Sequence, residues 1–201
     1  LITLTKDGDL WVATIDRPDK ANSLTAEMLE QLCVIAEDAR DARVLILTGK
    51  GKVFSAGADL EAAKAGLATS PLWERLSGAI ARLDALTICA ANGTVAGGAM
   101  GMFLACDLRI AVPGAKVFYP VMKLGFLPQP SDPKRLAALV GTSRAKMILM
   151  SGQKILVEEA LEWGLVNRVV DGNVLDAARL LAEDTAGASK EHATAIKRLI
   201  G

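Results

Sequence analysis

Residues 85–107 run Ala85-Leu86-Thr87-Ile88-Cys89-Ala90-Ala91-Asn92-Gly93-Thr94-Val95-Ala96-Gly97-Gly98-Ala99-Met100-Gly101-Met102-Phe103-Leu104-Ala105-Cys106-Asp107, and the reading of this stretch decides the fold. No charged residue lies between Asp84 and Asp107, a gap about as long as a membrane-crossing helix requires. Asn92 and the glycines at 93, 97, 98 and 101 argue against such a span. Residues 86–91 instead make a buried strand, Asn92-Gly93 a turn, and residues 98–105 a buried helix. No membrane partner is expected.

The flanks repeat the theme. On the N-terminal side, residues 43–48 (RVLILT) form a continuous apolar run of strand length, as in a parallel strand buried on both faces. It runs through Gly49-Lys50-Gly51-Lys52 into Val53-Phe54-Ser55-Ala56-Gly57-Ala58-Asp59. The chain begins with strand-like sequence. Residues 10–15 (LWVATI) are a strand ending at the turn signal Asp16-Arg17-Pro18-Asp19. A helix opens at Asn22-Ser23-Leu24-Thr25, capped by Ser23 or Thr25, with Leu24, Met28, Leu32, Ile35 and Ala39 on one apolar face. Residues 71–83 predict a further helix.

On the C-terminal side, residues 108–112 and 116–118 read as short strands, and Ser131-Asp132-Pro133 as a helix start. Helices are expected over 142–150, 157–163, 174–186 and 189–200, with a last strand over 166–170. Alternating strands and helices without linker or repeat predict one α/β domain over 1–201. Its core covers about 1–140 and a helical part about 141–201.

Composition narrows the function classes. The 201 residues suit a single domain, and 51% hydrophobic residues with 23% charged ones provide for a sizeable core. Twenty-three basic residues balance 23 acidic ones, which removes the global electrostatic case for nucleic acid or an anionic membrane. His192 is the only histidine, so no zinc site with two imidazoles exists and a Ser-His-Asp triad has one candidate base, without a nucleophile in its context. It reads as a surface residue. Cys33, Cys89 and Cys106 form no CxxC and read as small core residues in a reducing compartment. No basic segment followed by an apolar run opens the chain, so no targeting peptide is expected and the location is expected to be cytoplasmic.

The two glycine-rich segments, 55–59 and 92–99, admit close approach of a ligand to backbone N–H groups, or simply tight packing. Phosphate signatures fail, because Gly49-Lys50 is followed by Gly51 and no G-x-G-x-x-G follows the first strand. As a set, five segments resemble the crotonase (enoyl-CoA hydratase/isomerase) family: Arg17 to Leu24, Val53 to Leu60, Asn92-Gly93 through Gly97-Gly98 to Asp107, Leu124-Gly125 to Pro128 with Arg135-Leu136, and Ala160 to Val166. They follow the family's order over nearly the whole chain.

The resemblance implies a crotonase-like spiral of ββα units, assembled as a homotrimer or a hexamer of two trimers, that binds acyl-CoA thioesters. Coenzyme A is part of the substrate, and no separate cofactor or metal is implied. In that family two backbone N–H groups hold the thioester oxygen as it becomes enolate-like, and by position they are assigned here to Ala56 and Gly98. Lys20, Ala21, Ala58, Asp59 and Leu60 fall where the family cradles the adenine end of CoA. Lys20 also reads as a solvated surface lysine, and Asp59 and Asp107 also read as structural turn residues.

The sequence departs from the family's hydratases at both catalytic glutamates. Gly101 stands at the first position and Val121, after Tyr119-Pro120, at the second. Neither side chain moves a proton. Two substitutes present themselves. An extended stretch would put Tyr119 on the same face as Val121, as a hydrogen-bond or proton donor or as a packing residue. Asp132 lies near the expected mouth of the acyl channel, as an acid or base or as a helix N-cap. The reaction stays open between isomerisation, decarboxylation, thioester hydrolysis and an atypical hydration. The alternative is a CoA-thioester-binding or scaffold protein without chemistry. The C-terminal part is also shorter than the family's.

Overall fold

Val44 to Thr48 is buried without a break, because its strand lies inside a sheet covered on both faces. The computed structural model describes residues 1–201. Its strands are β1 (Ile2–Asp7), β2 (Leu10–Ile15), β3 (Val44–Gly49), β4 (Val53–Ser55), β5 (Leu86–Ala91), β6 (Thr94–Ala96), β7 (Leu108–Ala111), β8 (Lys116–Phe118), β9 (Ile155–Leu156) and β10 (Arg168–Val169). Its helices are α1 (Ala26–Asp38), α2 (Leu60–Lys64), α3 (Leu72–Ala81), α4 (Ala99–Ala105), α5 (Val121–Leu124), α6 (Asp132–Val140), α7 (Thr142–Leu149), α8 (Val157–Glu162), α9 (Val174–Leu181), α10 (Glu183–Gly187) and α11 (Lys190–Ile200).

The strands sort into two sheets, one in the order β1-β2-β3-β5-β7-β10 and one in the order β4-β6-β8-β9. Within the pairs β3/β4, β5/β6 and β7/β8 the first strand joins the larger sheet and the second the smaller, and helices follow each pair. This is the spiral of ββα units expected from the sequence. Pairing is parallel from β2 to β10, with antiparallel edges at β1/β2 and β8/β9.

The period-2 alternation of strand side chains divides the core. Leu45, Leu47 and Cys89 point to the main core, shared with Met28, Leu76, Met100 and Phe103 of α1, α3 and α4. Val44, Ile46, Ile88 and Ile110 point the other way, under Val174 and Ala178 of α9 and the following Ala182. Residues 85–106 are accounted for by β5, β6 and α4, and no helix is long and apolar enough to cross a membrane.

Several local expectations need correction. Residues 174–186 form two helices, broken at Ala182. Val121 begins a helix, so it does not continue an extended stretch from Tyr119 and the shared-face argument fails. Asp132 is not the N-cap of α6. Ser131 holds that position, and Asp132 is the first helical residue, its side chain turned inward. Of the two caps expected for α1, Thr25 holds the position, as expected, its Oγ1 accepting from the Met28 N–H at 3.3 Å.

Candidate active site

The first glycine-rich loop is tied to the turn before α1 by side chains as well as by backbone hydrogen bonds around a Leu24–Ala58 bridge. Asn22 is completely buried, and its side-chain amide donates to the carbonyls of Lys50 (2.9 Å) and Val53 (2.7 Å). Arg17 reaches Asp59 at 2.8 Å and the Ser23 carbonyl at 3.0 Å. Asp59 Oδ1 also accepts from the N–H groups of Glu61 and Ala62, capping α2. The Arg17 guanidinium, then these N–H groups, hold the Asp59 carboxyl below its ordinary value. Both Asp59 oxygens therefore have internal partners, which is the structural-turn role the sequence also allowed.

The second loop packs onto the first. Asn92 clamps the β3–β4 turn, its Oδ1 accepting from Gly49 N–H at 2.8 Å and its amide donating to the Gly51 carbonyl at 2.9 Å. Gly57 has φ +89°, and a Cβ there would lie 2.9 Å from the Ala96 carbonyl and 3.1 Å from the Gly98 nitrogen. Only glycine lets the two loops meet this closely.

The backbone hydrogen bonds of the two loops decide which N–H groups are free. The Ala56 N–H donates to the Ala21 carbonyl at 3.0 Å, and the Ala56 residue is exposed. Ala56 is therefore not the donor expected from its position. Around the Leu24–Ala58 bridge, the Gly57 carbonyl accepts from Leu24 and the Asp59 N–H donates to Leu24. The Ala58 N–H between them has no acceptor, and neither has that of Gly98. Ala58, Gly97 and Gly98 line one cavity of about 290 Å³ with the Trp73 ring. That ring lies 3.0 Å from where a Gly98 Cβ would stand, and its Nε1 donates to the Leu67 carbonyl at 2.8 Å.

The two candidate acid–base residues are hydrogen-bonded to each other beside this cavity. Tyr119 lines the same cavity, and its hydroxyl donates to Asp132 Oδ2 at 2.9 Å while accepting from the Gln129 N–H at 3.3 Å. Asp132 is 1% exposed, and its Oδ1 has no hydrogen-bond partner. A Cβ on Gly101 would stand 3.3 Å and 3.4 Å from the two Asp132 oxygens. The missing side chain on α4 thus makes room for a carboxylate delivered by α6. Burial pushes the Asp132 carboxyl up to about 6, against the pull of the Tyr119 hydroxyl and Arg135 and with the help of Glu74. Burial, then the Asp132 charge, drives the Tyr119 phenol far above its ordinary range. Val121 lines the cavity as an apolar residue, and no carboxylate borders it directly.

The remaining candidates are scattered. Lys20 is exposed in a 3-10 turn (Pro18–Lys20), and Ala21 follows it with φ 51°. Leu60 and Lys64 sit at the cavity rim, Leu60 78% exposed. A larger cleft of about 610 Å³ lies under α11, lined by His192, Asp84, Asp107 and Lys197. Two of its three aspartate carboxylates are paired, Asp107 with Lys197 at 2.7 Å and Asp84 with Arg198 at 2.8 Å. No group of three metal-binding side chains occurs in the chain. The Tyr119–Asp132 contact eluded the sequence, where only Gly101 hinted at a space to fill.

A family model described as Enoyl-CoA hydratase/isomerase matches residues 5–200. The short-chain-enoyl-CoA hydratase of Clostridium acetobutylicum is 37% identical over an alignment covering 87% of this chain and 70% of that protein. The carnitinyl-CoA dehydratase of Salmonella enteritidis is 35% identical, covering 98% of this chain and 78% of that protein. Among solved structures, Pseudomonas aeruginosa DspI superimposes with a TM-score of 0.90 at 34% identity, covering 99% of this chain and 79% of that one. An enoyl-CoA hydratase from Bacillus anthracis gives 0.91 at 31% identity, covering 99% and 81%. The chain belongs to the enoyl-CoA hydratase/isomerase family and is an enzyme of that family.

Proposed function

We propose that the protein binds an acyl-CoA thioester and stabilises its enolate with the N–H groups of Ala58 and Gly98. One observation carries this reading: the two N–H groups lack acceptors, and both residues line one apolar cavity. Donors of this kind, fixed before the reaction in a site that excludes water, lower the barrier where negative charge develops on oxygen. Lys20, Ala21 and the backbone of Ala58, Asp59 and Leu60 receive the CoA end, a role supported by the exposure of Lys20 and by Leu60 at the cavity rim. The family's two hydratase glutamates are replaced by Gly101 and Val121, so ordinary two-carboxylate hydration is not the reaction. We further propose a cytoplasmic homotrimer or hexamer, for which the exposed apolar residues Met122, Leu124, Phe126 and Leu127 offer a surface.

Calorimetric titration with crotonyl-CoA tests the reading. Saturable binding that weakens when Gly57→Val forces the two loops apart supports it. Heat indistinguishable from dilution overturns it.

A further inference from the structure

We propose that Tyr119 is the proton-transferring catalytic residue of this site and that Asp132, acting through it, holds the proton, so that the reaction moves one proton between carbons and adds no water. This rests on the thioester-enolate reading above and specifies its chemistry.

Three features of the fold support it independently. Tyr119 is the only acidic side chain on the cavity wall, where the other polar side chains are Lys64 and Gln129. Behind it, out of reach of the cavity, stands a carboxylate bonded to its hydroxyl at 2.9 Å, with the second oxygen unpartnered and buried. That carboxylate packs against Gly101, where a Cβ would already stand 3.3 Å and 3.4 Å from its two oxygens. A buried, half-satisfied carboxylate is costly to maintain by packing alone, and cavities that use one are where such groups are retained.

The surroundings of Asp132 are mixed in charge. Tyr119 faces it from the segment before α5, Arg135 from its own helix and Glu74 from α3. Arg135 bonds Ser77 at 2.9 Å, and Glu74 accepts from Ser131, so neither neutralises Asp132 by direct contact. Above a pH of about 6 the resting state is a phenol donating to a carboxylate.

The proton balance is then closed. The Cα–H bond of the thioester breaks and its proton passes to the Tyr119 oxygen while the phenol's own proton passes to Asp132 Oδ2. The C–H electron pair enters the enolate, whose oxygen accepts from Ala58 and Gly98. In a β,γ-unsaturated thioester the enolate is a dienolate. Return of the proton at Cγ through the same relay gives the α,β-unsaturated isomer and restores both residues. Hydration needs a second group to activate water, and no carboxylate, histidine or thiol lines the cavity.

The test uses 3-butenoyl-CoA, with binding followed by calorimetry and conversion to crotonyl-CoA followed by absorbance and mass. Wild type is expected to bind and isomerise without gain of one water. Tyr119→Phe is expected to bind within about threefold of wild type while turnover falls about 100- to 10,000-fold, the range for a lost general acid–base group. Asp132→Asn keeps a partner for the phenol, and it is expected to remove the rise of kcat centred near pH 6. If Tyr119→Phe loses its circular dichroism spectrum, the pH profile of Asp132→Asn carries the test. No binding by wild type overturns the thioester reading itself. Binding without isomerisation, a hydrated product at a comparable rate, undiminished turnover in Tyr119→Phe, or a surviving limb near pH 6 in Asp132→Asn overturns the relay and leaves the thioester reading standing.

Discussion

The two walls of the cavity are built by opposite strategies. On the side proposed to hold the oxyanion, the free backbone N–H groups are held by a dense hydrogen-bond scaffold, in which Asn22, Asn92 and Arg17 each bind main-chain or carboxylate partners across the loops. On the side proposed to move the proton, the groups are two side chains from separate elements, one of them buried with an oxygen unsatisfied. The first wall gains stability from its polar contacts. The second gives some up, because an ionised carboxylate loses hydration that one hydrogen bond does not replace. Substitutions on the two walls should therefore act in opposite senses on rate and stability.

On the side of the two loops the largest effect is expected from Gly98→Pro, which deletes one donor N–H. Turnover of 3-butenoyl-CoA per folded molecule should fall about 100- to 1,000-fold, as for the loss of an oxyanion donor. Because a Cβ at this position would also press on the Trp73 ring, the folded fraction is read separately from near-ultraviolet dichroism. An unchanged rate would remove Gly98 from the site.

Asp132→Asn should separate the walls most clearly. The Asp132 carboxyl rises from 3.8 to about 6 on folding, so the native state favours its protonated form. Its contribution is favourable at acid pH and is lost as pH rises through about 6. The asparagine variant, which does not titrate, should match wild type in urea unfolding at about pH 4 and exceed it by up to about 3 kcal/mol at about pH 8. A variant that gains stability while losing activity would mark Asp132 as retained for function. Equal stability at both pH values would mean that the carboxylate is not strained.

A smaller effect is expected from Gly101→Ala. Its Cβ would stand 3.3 Å from Asp132 Oδ1, tight enough to displace the carboxylate by a few tenths of an ångström. Turnover should fall severalfold with a stability change of about 1 kcal/mol, measured by kinetics and urea titration side by side. No change in either would mean that the notch at Gly101 does not position Asp132.

The smallest effect belongs to the larger cleft. His192→Ala alters an exposed residue of α11, remote from the two loops. The turnover rate should stay within about twofold of wild type, as for most surface substitutions. A large loss would move the site to that cleft.

Much of this architecture could be read from local pattern. The uninterrupted apolar run of β3 and the strand–turn–helix of residues 85–107 predicted an α/β domain, since burial on both sheet faces leaves a one-dimensional trace, and the resemblance carried by the ordered family segments implied the ββα spiral. Gly98 as a candidate donor and the absence of side-chain carboxylates at 101 and 121 were equally legible. The second proposed donor was not. Ala56 and Ala58 lie two residues apart in similar small-residue context, and only the Ala21 carbonyl, from a turn 35 positions away, distinguishes the occupied N–H from the free one.

The acid–base side was legible in its parts and not in its assembly. Tyr119 and Asp132 were candidates separately, but the alternation invoked for Tyr119 fails where α5 begins, and the N-cap invoked for Asp132 belongs to Ser131. Sequence alone determined the α/β class, the family and the absence of glutamates at positions 101 and 121, because periodicity and motif order are properties of neighbouring residues. Tertiary structure alone decided which backbone N–H stays free and which carboxylate meets the phenol. Both depend on contacts between distant segments, and a hydrogen bond discriminates over a fraction of an ångström that no spacing along the chain records.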